Sequence, residues 1–311
     1  MVQFLTLKLR ACDHPSVCRA MSFAGILLSL LTGCSGQTGR TIEDKREAFR
    51  KADSTLTVAA RSGVTALCSL LHEPTFIKRG MAAYELGSMD LDAAVAMENT
   101  WRAGRMPEHP KGPEALECLL RVTNDTARSV RAFAATAIGN FPGVRSSDAL
   151  KEQLQREQDP EVRKSLLAAI GNVYVPANAA FLAAQGAPTP ADSMGVVLGA
   201  KNMAIADLDS PELIARCVDM LRASRDLTFH QMILGALTKA DTATLASHAD
   251  TLLRLARTEP SRSSCGEEWC ALFARVPGEK SLAFLKEAAT SGPASVRSAA
   301  RAALSARAGR P

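Results

Sequence analysis

Apolar residues recur at three- and four-residue spacing in short blocks along most of the chain, as in Val162, Leu166, Ala169 and Ile170. A stripe of that length predicts a short helix, and one short helix cannot enclose a core alone. The turns between blocks carry helix-start signals. Asp159-Pro160-Glu161 offers an N-cap acid, a proline at the first helical position and an acid near the positive end of the helix dipole. Ser210-Pro211-Glu212 repeats the device, and Ser147-Asp148 predicts the start of a helix running through Arg156. Asn124-Asp125, the Pro-Thr-Pro run at 188–190, Glu259-Pro260 and Ser291-Gly292-Pro293 mark further turns. The expected architecture is a succession of helix pairs, A then B.

The pairs repeat. Arg79 to Gly87, Arg131 to Gly139 and Arg163 to Gly171 share one frame, in which glycine follows arginine by eight residues. Val296-Arg297 through Leu304 is a fourth copy, with Ser305 in place of the glycine. Arg131 and Arg163 are 32 residues apart, and the intervals from Arg163 to His230 and from His230 to Arg297 are both 67, or two repeats. Intermediate copies are therefore expected near Gly195 and Cys265. A fixed period in this range signals a solenoid, in which stacked neighbours supply the core that one helix pair lacks. The interval from Arg79 to Arg131 is 52, and a helix inserted at 91–105 accounts for the excess.

At Asp159-Pro-Glu-Val-Arg163 through Ala168-Ala-Ile-Gly171 the sequence resembles the HEAT-repeat family, in particular its short bacterial phycobilisome-lyase-type repeats. The resemblance covers roughly residues 62–308. It implies an all-α fold, a right-handed α-solenoid of about seven helix pairs over 42–311. It also implies a ladder in which turn acids, here Asp125 and Asp159, pair with helix-B bases, here Arg131, Arg163 and Arg297. The copies near Gly195, His230 and Cys265 lack the arginine, so the ladder should be interrupted there. Arg131, Arg163, Lys164 and Arg297 are at the same time the candidate binding residues, should some of them face a groove and meet acidic groups of a partner.

The amino terminus has a different pattern. Residues 20–31 are uncharged and mostly apolar, follow Lys8, Arg10 and Arg19, and lead into Leu31-Thr32-Gly33-Cys34. This is the order of an export signal. Twelve helical residues span about 18 Å, short of the ~30 Å hydrocarbon layer. The tetrad is similar to the lipobox of bacterial lipoproteins, which implies a signal peptide at 1–33, lipidation of Cys34 and a flexible tether at 34–41. Two acyl chains anchor a protein stably where one does not. Ser35 in the second mature place points to the outer membrane rather than the inner.

Composition narrows the function. Alanine supplies 53 of 311 residues and aromatic residues 5%, which favours helices over sheets. A net charge of +5, dispersed along the chain, gives no basis for a nucleic-acid partner. No doubled C-x-x-C, H-E-x-x-H, phosphate loop or nucleophile elbow occurs, so neither metal, cofactor nor catalysis is expected. Cys68, Cys118 and Cys217 fall at similar places on A helices and read as small core residues. Cys265 and Cys270 could be bridged only if Cys265 lies outside its helix. His72 and His109 lie near helix ends, where they can meet terminal carbonyls. Glu267-Glu268 beside Trp269 suggests an acidic edge over a core tryptophan. The expected function is a lipid-anchored scaffold or adaptor of the cell envelope that binds a protein or peptide. An enzyme accessory of the bilin-lyase type, or a cytosolic HEAT scaffold whose apparent signal is buried structure, is the alternative.

Overall fold

The computed structural model describes residues 55–89, 91–206, 210–258 and 265–308. The segment 1–33, Cys34 and the tether at 34–41 lie outside them, as do Glu259 and Pro260. Among the described residues all regular structure is helical, and no helix is long and apolar enough to cross a membrane. The chain divides into two compact units between Ala149 and Leu150, inside one helix.

The first unit contains α1 (Val64–Leu70), α2 (Phe76–Gly87), α3 (Leu91–Arg102), α4 (Gly112–Arg121), α5 (Arg128–Ile138) and the start of α6 (Val144–Arg156). α1 pairs with α2 and α4 with α5, while α1 packs along α4 and α2 along α5. The result is two layers, A helices over B helices. The second unit continues with α7 (Pro160–Ile170), α8 (Asn178–Ala184), α9 (Pro190–Ile205), α10 (Pro211–Ala223), α11 (Leu227–Leu237), α12 (Thr242–Ser247), α13 (Ala249–Arg257), α14 (Gly266–Phe273), α15 (Glu279–Ser291) and α16 (Ala294–Ala308). Its B layer is α7, α9, α11, α14 and α16, each packed on the next, and its A layer is α8, α10, α12, α13 and α15. Each unit is thus built as an α-solenoid, and its core lies between the layers. On α10 this buries Leu213, Ile214, Cys217, Val218, Met220 and Leu221, and each large aliphatic residue so buried contributes about 1.5–3 kcal/mol.

The helix starts follow from local chemistry. Asp159 accepts from the Glu161 and Val162 N–H groups, and Ser210 from Leu213, ahead of Pro160 and Pro211. Asp226 and Asp241 cap α11 and α12 in the same way. Two boundaries differ from the sequence expectation. α6 begins at Val144, directly after Gly143 at φ 117°, so Ser147 and Asp148 lie within it rather than ahead of it. The helix expected at 91–105 ends at Arg102, because Gly104 turns the chain at φ 72°, a region open to glycine.

Candidate functional site

Arg79, Arg131, Arg163 and Arg297 are each the fourth residue of a B helix, one turn inside its amino-terminal end. That position aims the guanidinium back at the preceding turn. Nη1 of Arg79 donates to Glu73 O, of Arg131 to Asp125 O and of Arg163 to Glu157 O, six residues back in each case. Nη1 of Arg297 donates to Gly292 O at 2.7 Å. Arg79 and Arg163 also reach the next repeat. Arg79 grips Asp125 with Nε at 2.7 Å and Nη2 at 2.9 Å, and Nε of Arg163 donates to Asp192 Oδ1 at 2.8 Å. Burial alone would raise the Asp125 carboxyl. Hydrogen bonds from Arg79 and the Ala127 N–H, with the charges of Arg79 and Arg131, hold it below its ordinary value.

Arg163 is therefore committed to its own turn and to Asp192, whose side chain is 1% exposed. Lys164 pairs with Glu161 one turn away on α7. Asp159 serves as the N-cap of α7. At the corresponding place α11 has His230, whose Nε2 lies 2.9 Å from Ser224 O, again six residues back. α14 has Trp269 there, buried and stacked on Phe273.

The carboxy-terminal ends of the B helices carry a second set of links. Asn140 Nδ2 donates to Gly87 O at the end of α2, and Asn202 Nδ2 to Ala168 O on α7. Arg275 donates to Thr238 O and Ala240 O beyond α11, and Arg307 to Phe273 O of α14. Each donor belongs to the following B helix or the turn after it, and each satisfies a carbonyl that the helix end leaves open. The chain after α3 also returns to α2. His109 Nε2 lies 3.2 Å from Gly87 O, and Lys111 Nζ donates to Glu85 O and Ser88 O. His109 is stacked on Phe141, and burial lowers its pKa to about 4. Its Nδ1 accepts from the Lys111 N–H, which leaves Nε2 to carry the proton toward Gly87 O.

The repeated glycine has a steric reason. Gly171 is right-handed, at φ −72°, yet a Cβ there would stand 2.2 Å from Gly199 O. One on Gly87 would stand 2.4 Å from Ala137 Cα. Glycine lets neighbouring B helices touch backbone to backbone.

With the arginines engaged at the helix starts, a face of the B layer remains half-exposed. It includes Ser165 and Ala168 of α7, Met194 and Leu198 of α9, and Met232 and Gly235 of α11. Glu267 and Glu268 stand at the start of α14, where burial and then the charge of Glu267 raise the Glu268 carboxyl.

Cys68 and Cys118 are not separate core thiols. They form a disulfide, with α-carbons 5.7 Å apart, between α1 and α4. Equivalent places on adjacent A helices face one another, which is why the two sulfurs meet. Cys265 does lie outside its helix, as the N-cap of α14, yet it is free, as are Cys270 and Cys217. The Cys265 thiol points toward Leu227 O and the Cys270 thiol toward Val296 O, on different neighbouring helices. Burial pushes Cys217 up to about 12 and Cys265 and Cys270 up to about 11, so none is a poised nucleophile. No group of three metal-ligating side chains occurs among the described residues.

Residues 99–171 match the family model for HEAT repeats. That stretch of the chain consists of HEAT-like repeats. It runs from the end of α3 through α7, less than a quarter of the chain, and contains Arg131, Asp159 and Arg163. No curated protein matches this chain. The second ladder acid, Asp192, was not evident from the turn pattern, because it is the third residue of α9 rather than its cap. A signal was present in Thr189-x-x-Asp192, a capping-box spacing. Thr189 Oγ1 accepts from the Asp192 N–H and donates to the Asp192 carboxylate.

Proposed function

We propose that this chain is a non-catalytic scaffold of the cell envelope, anchored by lipid on Cys34, whose B-layer face holds a protein or peptide. The observation that carries the scaffold reading is the division of labour among side chains. Arg79 and Arg163 and the donors Asn140, Asn202, Arg275 and Arg307 are spent on joining helices. The half-exposed side chains of the row from Ser165 to Gly235 are not used in those joints, to which the row contributes only the Ala168 carbonyl. HEAT repeats commonly mediate protein–protein interaction, and stacked repeats offer extended surfaces of this kind. The binding role therefore moves from Arg131, Arg163, Lys164 and Arg297 to the row beside them.

Export is supported by the Cys68–Cys118 bond, since such bonds persist in oxidising compartments and are rare in the cytosol. The outer membrane is the proposed address, from Ser35 after the lipidated Cys34. A fatty-acid probe should label the wild-type chain and not Cys34→Ala, and equal labelling of both would contradict the anchor. Proximity labelling with the intact chain should capture a partner that Met232→Glu loses at unchanged melting temperature. Capture that survives Met232→Glu and Leu198→Asp would contradict the proposed face.

A further inference from the structure

We propose that Cys68–Cys118 is a redox modification site, a latch that a dithiol can open and an oxidant of the disulfide class can close, and that it governs the docking of α1 alone. Apart from its packing on α2, little else holds α1. It has seven residues, of which only Leu67 is buried, and its N-cap, Gly63, provides no side-chain hydrogen bond. It has no acid in its first turn and no base in its last to complement the helix dipole. Thr65 Oγ1 to Glu114 Oε1, at 3.2 Å, is an exposed hydrogen bond to α4. The disulfide adds a covalent joint between the same two helices.

The elements beside it are held differently. α2 is tied to the turn before α5 by Arg79 and Asp125, and its carboxy-terminal end is closed by Asn140, His109 and Lys111. α4 buries Ala115, Leu116 and Leu119. Breaking the disulfide removes none of these contacts. Opening should therefore stop at α1 and expose the side of α4 that it covers.

The bond is also within reach of a reagent. Access is from the Cys68 side, which is half-buried, while Cys118 is buried; Cys217, at a comparable place on α10, is buried with its thiol pushed up to about 12. The reaction is thiol–disulfide exchange. A thiolate of the dithiol attacks one sulfur and the Cys68–Cys118 bond breaks, giving a mixed disulfide. The second thiol of the reagent displaces it, so the reagent leaves as a disulfide and two protons pass to the cysteines. Closure runs in the other direction with an oxidant of the disulfide class. The latch stands independently of the lipid anchor, since its test uses neither Cys34 nor a membrane.

The experiment is hydrogen exchange on the folded chain with and without dithiothreitol, with alkylation and mass spectrometry to confirm that Cys68 and Cys118 have become thiols. Amide exchange over 64–70 should rise at least tenfold on reduction, with α2, α5, α7 and α9 unchanged. Cys68→Ser and Cys118→Ala should each reproduce that pattern without reductant. Three results would overturn the proposal: a bond that dithiothreitol does not reduce in the folded protein, a reduced bond with unchanged exchange over 64–70, or protection lost across α2, α4 and α5 together.

Discussion

At α2 and α5 the helix starts are joined by Arg79 and Asp125, whereas at α11 and α14 the same places hold His230 and Trp269. Both pairs are also linked at the other end, α2 to the turn after α5 by Asn140, and α11 to the turn after α14 by Arg275, which reaches Thr238 O and Ala240 O. The two solutions differ in what they leave behind when broken. An arginine facing a buried carboxylate cannot be removed without stranding a charge, while one facing carbonyls strands only neutral acceptors. The ends of α2 and α11 differ in a second respect. α2 is closed by His109 and Lys111, which can change charge, and α11 by an arginine, which does not titrate in proteins.

The largest effect is expected where a charge is stranded. Arg163→Ala leaves Asp192 buried without its guanidinium and should cost roughly 3–5 kcal/mol in denaturant unfolding. Arg275→Ala removes donors from two carbonyls and should cost only about 1–3 kcal/mol. Equal losses would erase the distinction between the two joints.

Acid should separate the two helix ends next. The folded-state pKa of His109 is lowered to about 4 by burial, against about 6.5 unfolded. Below the unfolded value the unfolded chain binds the extra proton, so stability present at neutral pH is lost as pH falls from about 6.5 to about 4. The loss amounts to roughly 3 kcal/mol. Asp125, held below its ordinary value, adds a further decline as pH drops past 4. His109→Asn keeps a donor for Gly87 O and should flatten the first decline but not the second. A stability curve with the same slope in both proteins would refute the assignment.

Smaller effects should distinguish the glycines. Gly171→Ala pushes a Cβ into Gly199 O and should destabilise by about 1–3 kcal/mol. Gly235→Ala, with nothing within 4 Å of the added carbon, should stabilise α11 by about 0.5–1 kcal/mol. Thermal melts of the two variants should shift in opposite directions.

The contrast also shows what was legible in the chain. The Arg-to-Gly frame revealed the helix pairs because both of its ends perform a task, Arg79 and Gly87 on α2 and Arg163 and Gly171 at α7. The Asp159 cap was equally legible, being a local event over four residues. Asp192 was less so, since its role depends on Arg163, which lies 29 residues away. The carboxy-terminal links were hidden for a related reason. Arg275 and Arg307 are one period apart but stand at different distances from Trp269 and Arg297 at the starts of their helices, and their acceptors are backbone atoms that any residue provides. The Cys68–Cys118 bond spans 50 residues because α3 is inserted between the partners. Spacing therefore disguised two cysteines that are one repeat apart.

If the helix-B arginines join repeats, Arg163 and Asp192 are energetically coupled, and a double-mutant cycle between them reads that coupling. Arg163→Ala, Asp192→Ala and the double variant would each be unfolded in denaturant. The ladder predicts that the double variant loses much less than the sum of the single losses, with a coupling energy of about 1–3 kcal/mol. Additive losses, with the two residues behaving as strangers, would contradict it.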